Sequence, residues 1–222
     1  MMASDFEQLL SQVRGGMVFT GPMVLALRAE PPAKTETRRI ITVPKRYPPD
    51  TQIVSMSLLV DDQWGAVLWS PMAHKSYDTT LFARFAPGDL AYVKETLQRA
   101  RDSDDRVTWW AHYAAVAPGP DGQYHELPLV LDVCGAAVEW EWKRSVLPAR
   151  FMPKDCARTI LRIGGVEAVR LQEITEAQAR AEGFESRAEF FTYYDSLHKS
   201  GERSADNPWD WRYFDLTVEA MR

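Results

Sequence analysis

The chain opens with apolar residues at helical intervals. Phe6, Leu9, Leu10 and Val13 recur with a period near that of the α-helix, with Ser4 or Asp5 standing where a cap belongs. This spacing predicts a helix over 4–14, stopped by Gly15-Gly16. Met17–Thr20 reads as a short strand. Pro22 suits the first turn of a helix carrying Met23, Val24, Ala26 and Leu27, and Pro31-Pro32 ends it, because a residue before proline is steered out of the α region. The next apolar pair, Ile40-Ile41, is β-branched. The polar run before it, Lys34-Thr35-Glu36-Thr37-Arg38-Arg39, is therefore predicted to lie on a connection, where functional groups are commonly displayed.

Farther along, the pattern favours strands. Residues 43–50 (VPKRYPPD) read as a loop, and Ile53–Val60 and Trp64–Trp69 as a hairpin around Asp61-Asp62-Gln63. Pro87-Gly88-Asp89 is a turn signal leading into a strand, Leu90–Glu95. Val107–Ala114 is a second, aromatic-rich strand, 118–122 a loop, and Trp140–Pro153 irregular. Arg158–Ile163 and Glu167–Leu171 are strand material broken by Gly164-Gly165. Thr175 caps a helix to about Ala181, ended by Gly183, and Ser186 caps another to about Leu197. Trp211–Glu219 alternates as a closing strand. Many short strands with few helices predict an α+β fold with a small mixed barrel, as a single decorated domain over 1–222.

Composition narrows the classes. With 45% hydrophobic residues and eight Trp there is ample material for a core. Cys134 and Cys156 have no metal spacing and cannot make a disulfide framework, which suits reduced thiols. No segment approaches the ~18 apolar residues of a membrane span, and the N-terminus lacks a signal-peptide pattern, so a cytoplasmic location is expected, with no membrane partner. A net charge of −5 argues against tight duplex-DNA binding; contact with RNA would be local, through Arg38, Arg39, Lys45 and Arg46.

Lys34 and Thr37 stand three apart, on one side if the run forms a helical or tight turn. A threonine hydroxyl becomes nucleophilic only when a base takes its proton, and a lysine serves only when desolvation or nearby cations favour its neutral form. Thr37 equally suits a bond to its own turn, and Arg39 an ion pair with Glu95 or Asp89. Trp109, Trp110 and Tyr113 share a strand and suit core packing or stacking on a base. The four His show no metal or triad spacing.

Several segments together resemble the ASCH family of the PUA-like superfamily, particularly its phage and prophage members. They are Met17–Ala29, KTETRR, PGDLAYVKETL (87–97), MPKDCARTILRI (152–163), LQEITEAQARAEGF (171–184) and NPWDWRYFDL (207–216). The Gly-x-Lys-x-x-x-x-Arg hallmark is met by Lys34 and Arg39, with Pro32 in place of its glycine. The resemblance implies a PUA-like barrel with flanking helices and insertions at about 43–80 and 98–150. It implies an amidohydrolase acting on 4-acetylcytidine or a similar acylated pyrimidine nucleoside. Lys34 and Thr37 match the family's base and nucleophile, Glu182 falls on its distant acid, and no metal or cofactor is implied. Arg38, Arg39, Glu95 and Trp109 are the expected substrate-binding residues. The competing expectations are a module that binds RNA or a modified base without chemistry, and a ribonuclease for single-stranded RNA. The sequence sets no oligomeric state.

Overall fold

The computed structural model describes residues 3–59, 63–101, 109–115, 130 and 136–221, with the side chains of 3, 4, 100, 101 and 109 outside that description. Along the chain, helix α1 spans Ala3–Gln12, strand β1 Gly15–Val18, α2 Gly21–Arg28, β2 Thr37–Ile40, β3 Gln52–Leu58, β4 Trp64–Ser70 and β5 Lys75–Leu81. There follow β6 (Leu90–Lys94), β7 (Leu97–Arg101), β8 (Trp109–Tyr113), β9 (Val146–Leu147), β10 (Thr159–Arg162) and β11 (Gly165–Arg170). The last elements are α3 (Glu176–Ala181), α4 (Arg187–Leu197), β12 (Trp209–Phe214) and β13 (Thr217–Met221).

The chain divides into two compact units: residues 1–34, 88–163 and 216–222 in the first, 35–87 and 164–215 in the second. In the first unit β1 pairs parallel with β6, and β6 and β13 flank β10 antiparallel, giving the order β1-β6-β10-β13; β8-β7-β9 form a second sheet. Phe6 and Leu10, one helical turn apart, put the apolar side of α1 into a core with Leu90, Leu97, Tyr113, Met152 and Ile160. Gly16 sits where β1 and β6 approach closely: a Cβ there would fall 2.6 Å from the Lys94 and Tyr92 side chains. Arg158 closes a buried ion pair with Glu95 and lies 3.9 Å over the Tyr113 ring.

In the second unit β12 is the middle strand of β11-β12-β2, antiparallel to both neighbours, and β3-β4-β5 form a meander. Register sets the faces. Thr37 stands opposite Tyr213 and Arg39 opposite Trp211, whereas Arg38 stands opposite Arg212 and Ile40 opposite Asp210. The face carrying Asp210 is met by α4, through Tyr194. The opposite face meets the meander and its exit, where Trp64 is edge-on to Trp211 and Phe85 to Tyr213. The helices pack through Leu171, Ile174, Ala179, Phe190 and Tyr194.

The fold is mixed α+β, mostly strands with few helices, and among the described residues no sheet closes into a barrel. No helix among them is long and apolar enough to cross a membrane. Three expectations are corrected. The Lys34–Arg39 run is not wholly a connection, because Thr37–Arg39 belong to β2, drawn into the ladder by β12. The expected closing strand 211–219 is two strands in different sheets, separated at Asp215, whose φ of 50° breaks the extended run. The meander has a third strand, β5, whose polar alternation hid it. The expected loop 118–122 and Cys134 lie outside the described residues; Cys156 is buried.

Candidate functional site

The Lys34–Arg39 run begins where α2 ends. The Ala33 and Lys34 N–H groups both donate to the Ala26 carbonyl (2.9 and 3.3 Å), giving that late helical carbonyl partners beyond the helix. Lys34 is the last residue of the first unit. It is fully buried, its Nζ 5.8 Å from the centre of the Phe19 ring. In the second unit the Thr35 and Glu36 N–H groups donate to the Ala181 carbonyl at 2.8 and 2.9 Å, tying the approach to β2 onto the end of α3. The N–H groups of Lys34, Thr35 and Glu36 are thus all committed to backbone carbonyls.

α3 is short and closely specified. Thr175 Oγ1 accepts from the Gln178 N–H while Gln178 Oε1 accepts from the Thr175 N–H, and Gly183 takes the left-handed conformation (φ 92°) that ends the helix. Glu182 is the C-cap and is buried. The helix dipole disfavours a carboxylate there. Two cations act on it in compensation: Glu182 is the leading favourable charge at both Arg38 and Arg39.

Thr37 is fully buried, and its Oγ1 accepts a 2.9 Å bond from Arg39 Nη1, which also donates to the Arg38 carbonyl at 2.8 Å. Burial lowers the Arg39 pKa, partly offset by Glu182. Arg38, on the other face, is buried and donates from Nη2 to Gln178 Oε1 at 3.2 Å. Its Nε and Nη1 have no hydrogen-bond partner among the described residues. Its pKa too is lowered by burial, against the opposing pull of Glu182 and Asp210.

Asp210 was not anticipated. It is fully buried, accepts from the Tyr194 hydroxyl at 3.0 Å through Oδ1, and leaves Oδ2 without a partner among the described residues. Burial pushes its pKa up to about 7, despite the Tyr194 bond and Arg38. Burial likewise raises the Tyr194 hydroxyl. The signal in the sequence was a carboxylate between Trp209 and Trp211 on a strand, where alternation turns it away from its aromatic neighbours. On the same face Arg212 bridges Glu36 and Glu167, which raises its pKa.

Of the other expected residues, Glu95 accepts from Arg158 Nε and Nη2 (2.9 and 2.6 Å) inside the first unit, and Asp89 pairs with Arg14. Arg39, in the second unit, donates to the Thr37 hydroxyl and the Arg38 carbonyl. Trp109 enters β8 opposite Arg101, with its side chain outside the described residues. No group of three His, Cys, Asp or Glu that would hold a metal occurs among the described residues.

The second unit also holds a cavity of about 620 Å³ whose wall includes Thr42, Arg46, Thr79, Phe82 and Trp211. Beside it the Arg46 guanidinium lies 5.1 Å from the Tyr47 ring, Tyr47 is 5.1 Å from Tyr77, and Lys75 Nζ is 5.3 Å from Tyr77. Compared with known proteins, the chain matches no family model, no curated protein and no solved structure.

Proposed function

We propose that this protein is an amidohydrolase of ASCH type, built on a PUA-like fold, that removes the acyl group from a modified pyrimidine nucleoside such as 4-acetylcytidine. The observation that carries the reading is the buried Thr37 hydroxyl accepting a hydrogen bond from the Arg39 guanidinium. A cationic donor on that oxygen stabilises the alkoxide character a nucleophile develops, and away from water the effect is stronger.

In this reading Thr37 Oγ1 attacks the amide carbonyl. Lys34, three residues earlier along the chain, takes the hydroxyl proton. Glu182 handles the proton delivered to the leaving exocyclic nitrogen, so that the C–N bond breaks and the nucleoside departs with a free amine. Water then hydrolyses the Thr37 ester, releasing the carboxylic acid and restoring the hydroxyl. In the same reading Arg39 donates to the oxyanion that forms on the amide carbonyl oxygen. The reaction uses no cofactor.

The test is incubation with 4-acetylcytidine, following cytidine and acetate. Release by the parent protein, lost by a factor of at least about 100 in Thr37→Ala, is the expected outcome. Undiminished turnover in that variant removes Thr37 as nucleophile, and no turnover in the parent removes the substrate class.

The alternating Lys75, Tyr77, Tyr47 and Arg46 beside the 620 Å³ cavity favours a second reading, a module that stacks the bases of single-stranded RNA. Binding that falls steeply with salt and survives Lys34→Ala would select it.

A further inference from the structure

The 620 Å³ cavity of the second unit lies along the sheet face that carries Thr37. Trp211 lines it and stands opposite Arg39 in the register of β2 with β12, and Arg39 donates to Thr37 Oγ1. Ile41, also in the wall, continues the alternation that puts Thr37 and Arg39 on one face. From Thr37 to Ile41 the strand advances about 13 Å. One chain-like ligand can reach both.

The other side of the cavity is the edge strand β5. Lys75, Tyr77 and Thr79 alternate along one face of it, about 6.8 Å apart, and Asp78 is turned to the other face. Arg46, an exposed residue, is docked on this row. Its Nη2 donates to Thr79 Oγ1 at 2.9 Å and to the Tyr47 hydroxyl at 3.3 Å. The Tyr47 ring lies 5.1 Å from that of Tyr77, with Lys75 Nζ 5.3 Å from Tyr77 on the same strand. Phe82, directly after β5, is in the cavity wall and 67% exposed.

This surface selects its partner by charge and shape. Among the described residues the cavity wall holds no carboxylate, although the whole chain carries a net charge of −5. The hydrogen-bond partners of the Arg46 side chain among those residues are hydroxyls, so its position is fixed while its charge stays available to an external anion. Cations and accessible ring faces set along an edge strand match phosphates and bases that recur along a polymer. A duplex keeps its bases stacked inside and has none to give to Phe82. A free nucleoside has no phosphate for Arg46 or Lys75.

We propose that this row binds a single-stranded polynucleotide and presents one of its nucleotides to Thr37, so that the substrate is an acylated cytidine within a strand rather than the free nucleoside. Arg46 and Lys75 meet phosphates of the flanking nucleotides, and Phe82 stacks on a flanking base. The chemical step rests on the amidohydrolase reading, and the binding rests on the row alone.

A labelled, unmodified oligocytidylate of about eight nucleotides reads the binding without turnover, by fluorescence anisotropy on the full chain. The parent protein binds it at low salt, and affinity falls steeply as salt rises. Arg46→Gln and Phe82→Ala, both on exposed side chains, each weaken binding about tenfold. Equal binding of the deoxyribose form assigns recognition to features that both strands share, and weaker binding of it assigns RNA. No binding at tens of micromolar protein, unchanged affinity in both variants, or equal affinity for a duplex of the same length overturns the proposal. The same oligomer carrying one 4-acetylcytidine then tests presentation to Thr37. Its kcat/KM for acetate release exceeds that of the free nucleoside by about tenfold or more, and Arg46→Gln removes the advantage. A free nucleoside hydrolysed as efficiently overturns the strand as substrate. Hydrolysis of neither, with strand binding intact, removes the amidohydrolase reading and leaves the row as a strand-binding surface.

Discussion

Each unit buries a guanidinium beside carboxylates, and the two arrangements differ in how far they are finished. In the first, Arg158 meets Glu95 through Nε and Nη2, gives a further bond to the Ala115 carbonyl at 3.0 Å, and stacks on Tyr113. In the second, Arg38 spends one nitrogen on Gln178 and leaves two without partners among the described residues. Asp210 likewise spends one oxygen on Tyr194 and leaves the other unpartnered. A closed pair of the first kind is architecture: desolvation and attraction nearly balance, and what remains is a fixed geometry. An open set, with a carboxyl raised to about 7 by burial, is what a folded chain has no structural reason to keep. Burial of charge alone does not mark a site; unspent hydrogen-bonding capacity next to it makes the second set the candidate of the two.

Three experiments would break or sharpen that contrast. The largest effect is expected from Glu95→Gln, which leaves Arg158 buried without its counter-charge and should cost about 3–5 kcal/mol in urea or thermal unfolding. A loss below about 1 kcal/mol would show that the closed pair is not structural.

Asp210→Asn should act in the opposite direction and depend on pH. The folded carboxyl titrates at about 7 against 3.8 for the ordinary group. Between those values the folded chain binds the more protons, so its stability falls as pH rises from about 4 to 7 and is level above. Asparagine keeps an acceptor for Tyr194 and removes the titration. The variant should match the parent near pH 4 and exceed it at pH 8 by up to the order of 4 kcal/mol. Equal stability at both pH values would remove Asp210 from the open set.

The smallest effect is expected from Thr175→Ala, which opens the capping box that holds Gln178 against Arg38. A cost of about 1 kcal/mol is expected from the lost cap. No change in denaturation midpoint would mean that the box does not anchor this part of the second unit.

Local features were readable wherever a single residue type has a strong backbone preference. Thr175, Gly183, Ser186 and Pro87-Gly88 marked boundaries that the structure reproduces closely, because caps and positive φ are settled within a few residues. The hairpin of β3 and β4 was readable from its alternation. β5 was missed because Lys75, Ser76, Asp78, Thr79 and Thr80 lack an apolar face of their own and become a strand by pairing with β4. The division of 209–221 into β12 and β13 was hidden for a related reason: both halves alternate, and only their different partners separate them.

The site divides along the same line. By itself the sequence singled out the candidate residues near β2, since Lys34, Thr37, Arg38 and Arg39 fall within one six-residue run, and the family resemblance added Glu182 at the end of a well-marked helix. Only the tertiary structure decided that Arg39 serves the Thr37 hydroxyl, that Glu95 belongs to Arg158, and that Asp210 and Tyr194 join Arg38. Side-chain identity is local, but the partner of a buried charge is set by strand register and by what desolvates it. Both are properties of segments far apart in the chain.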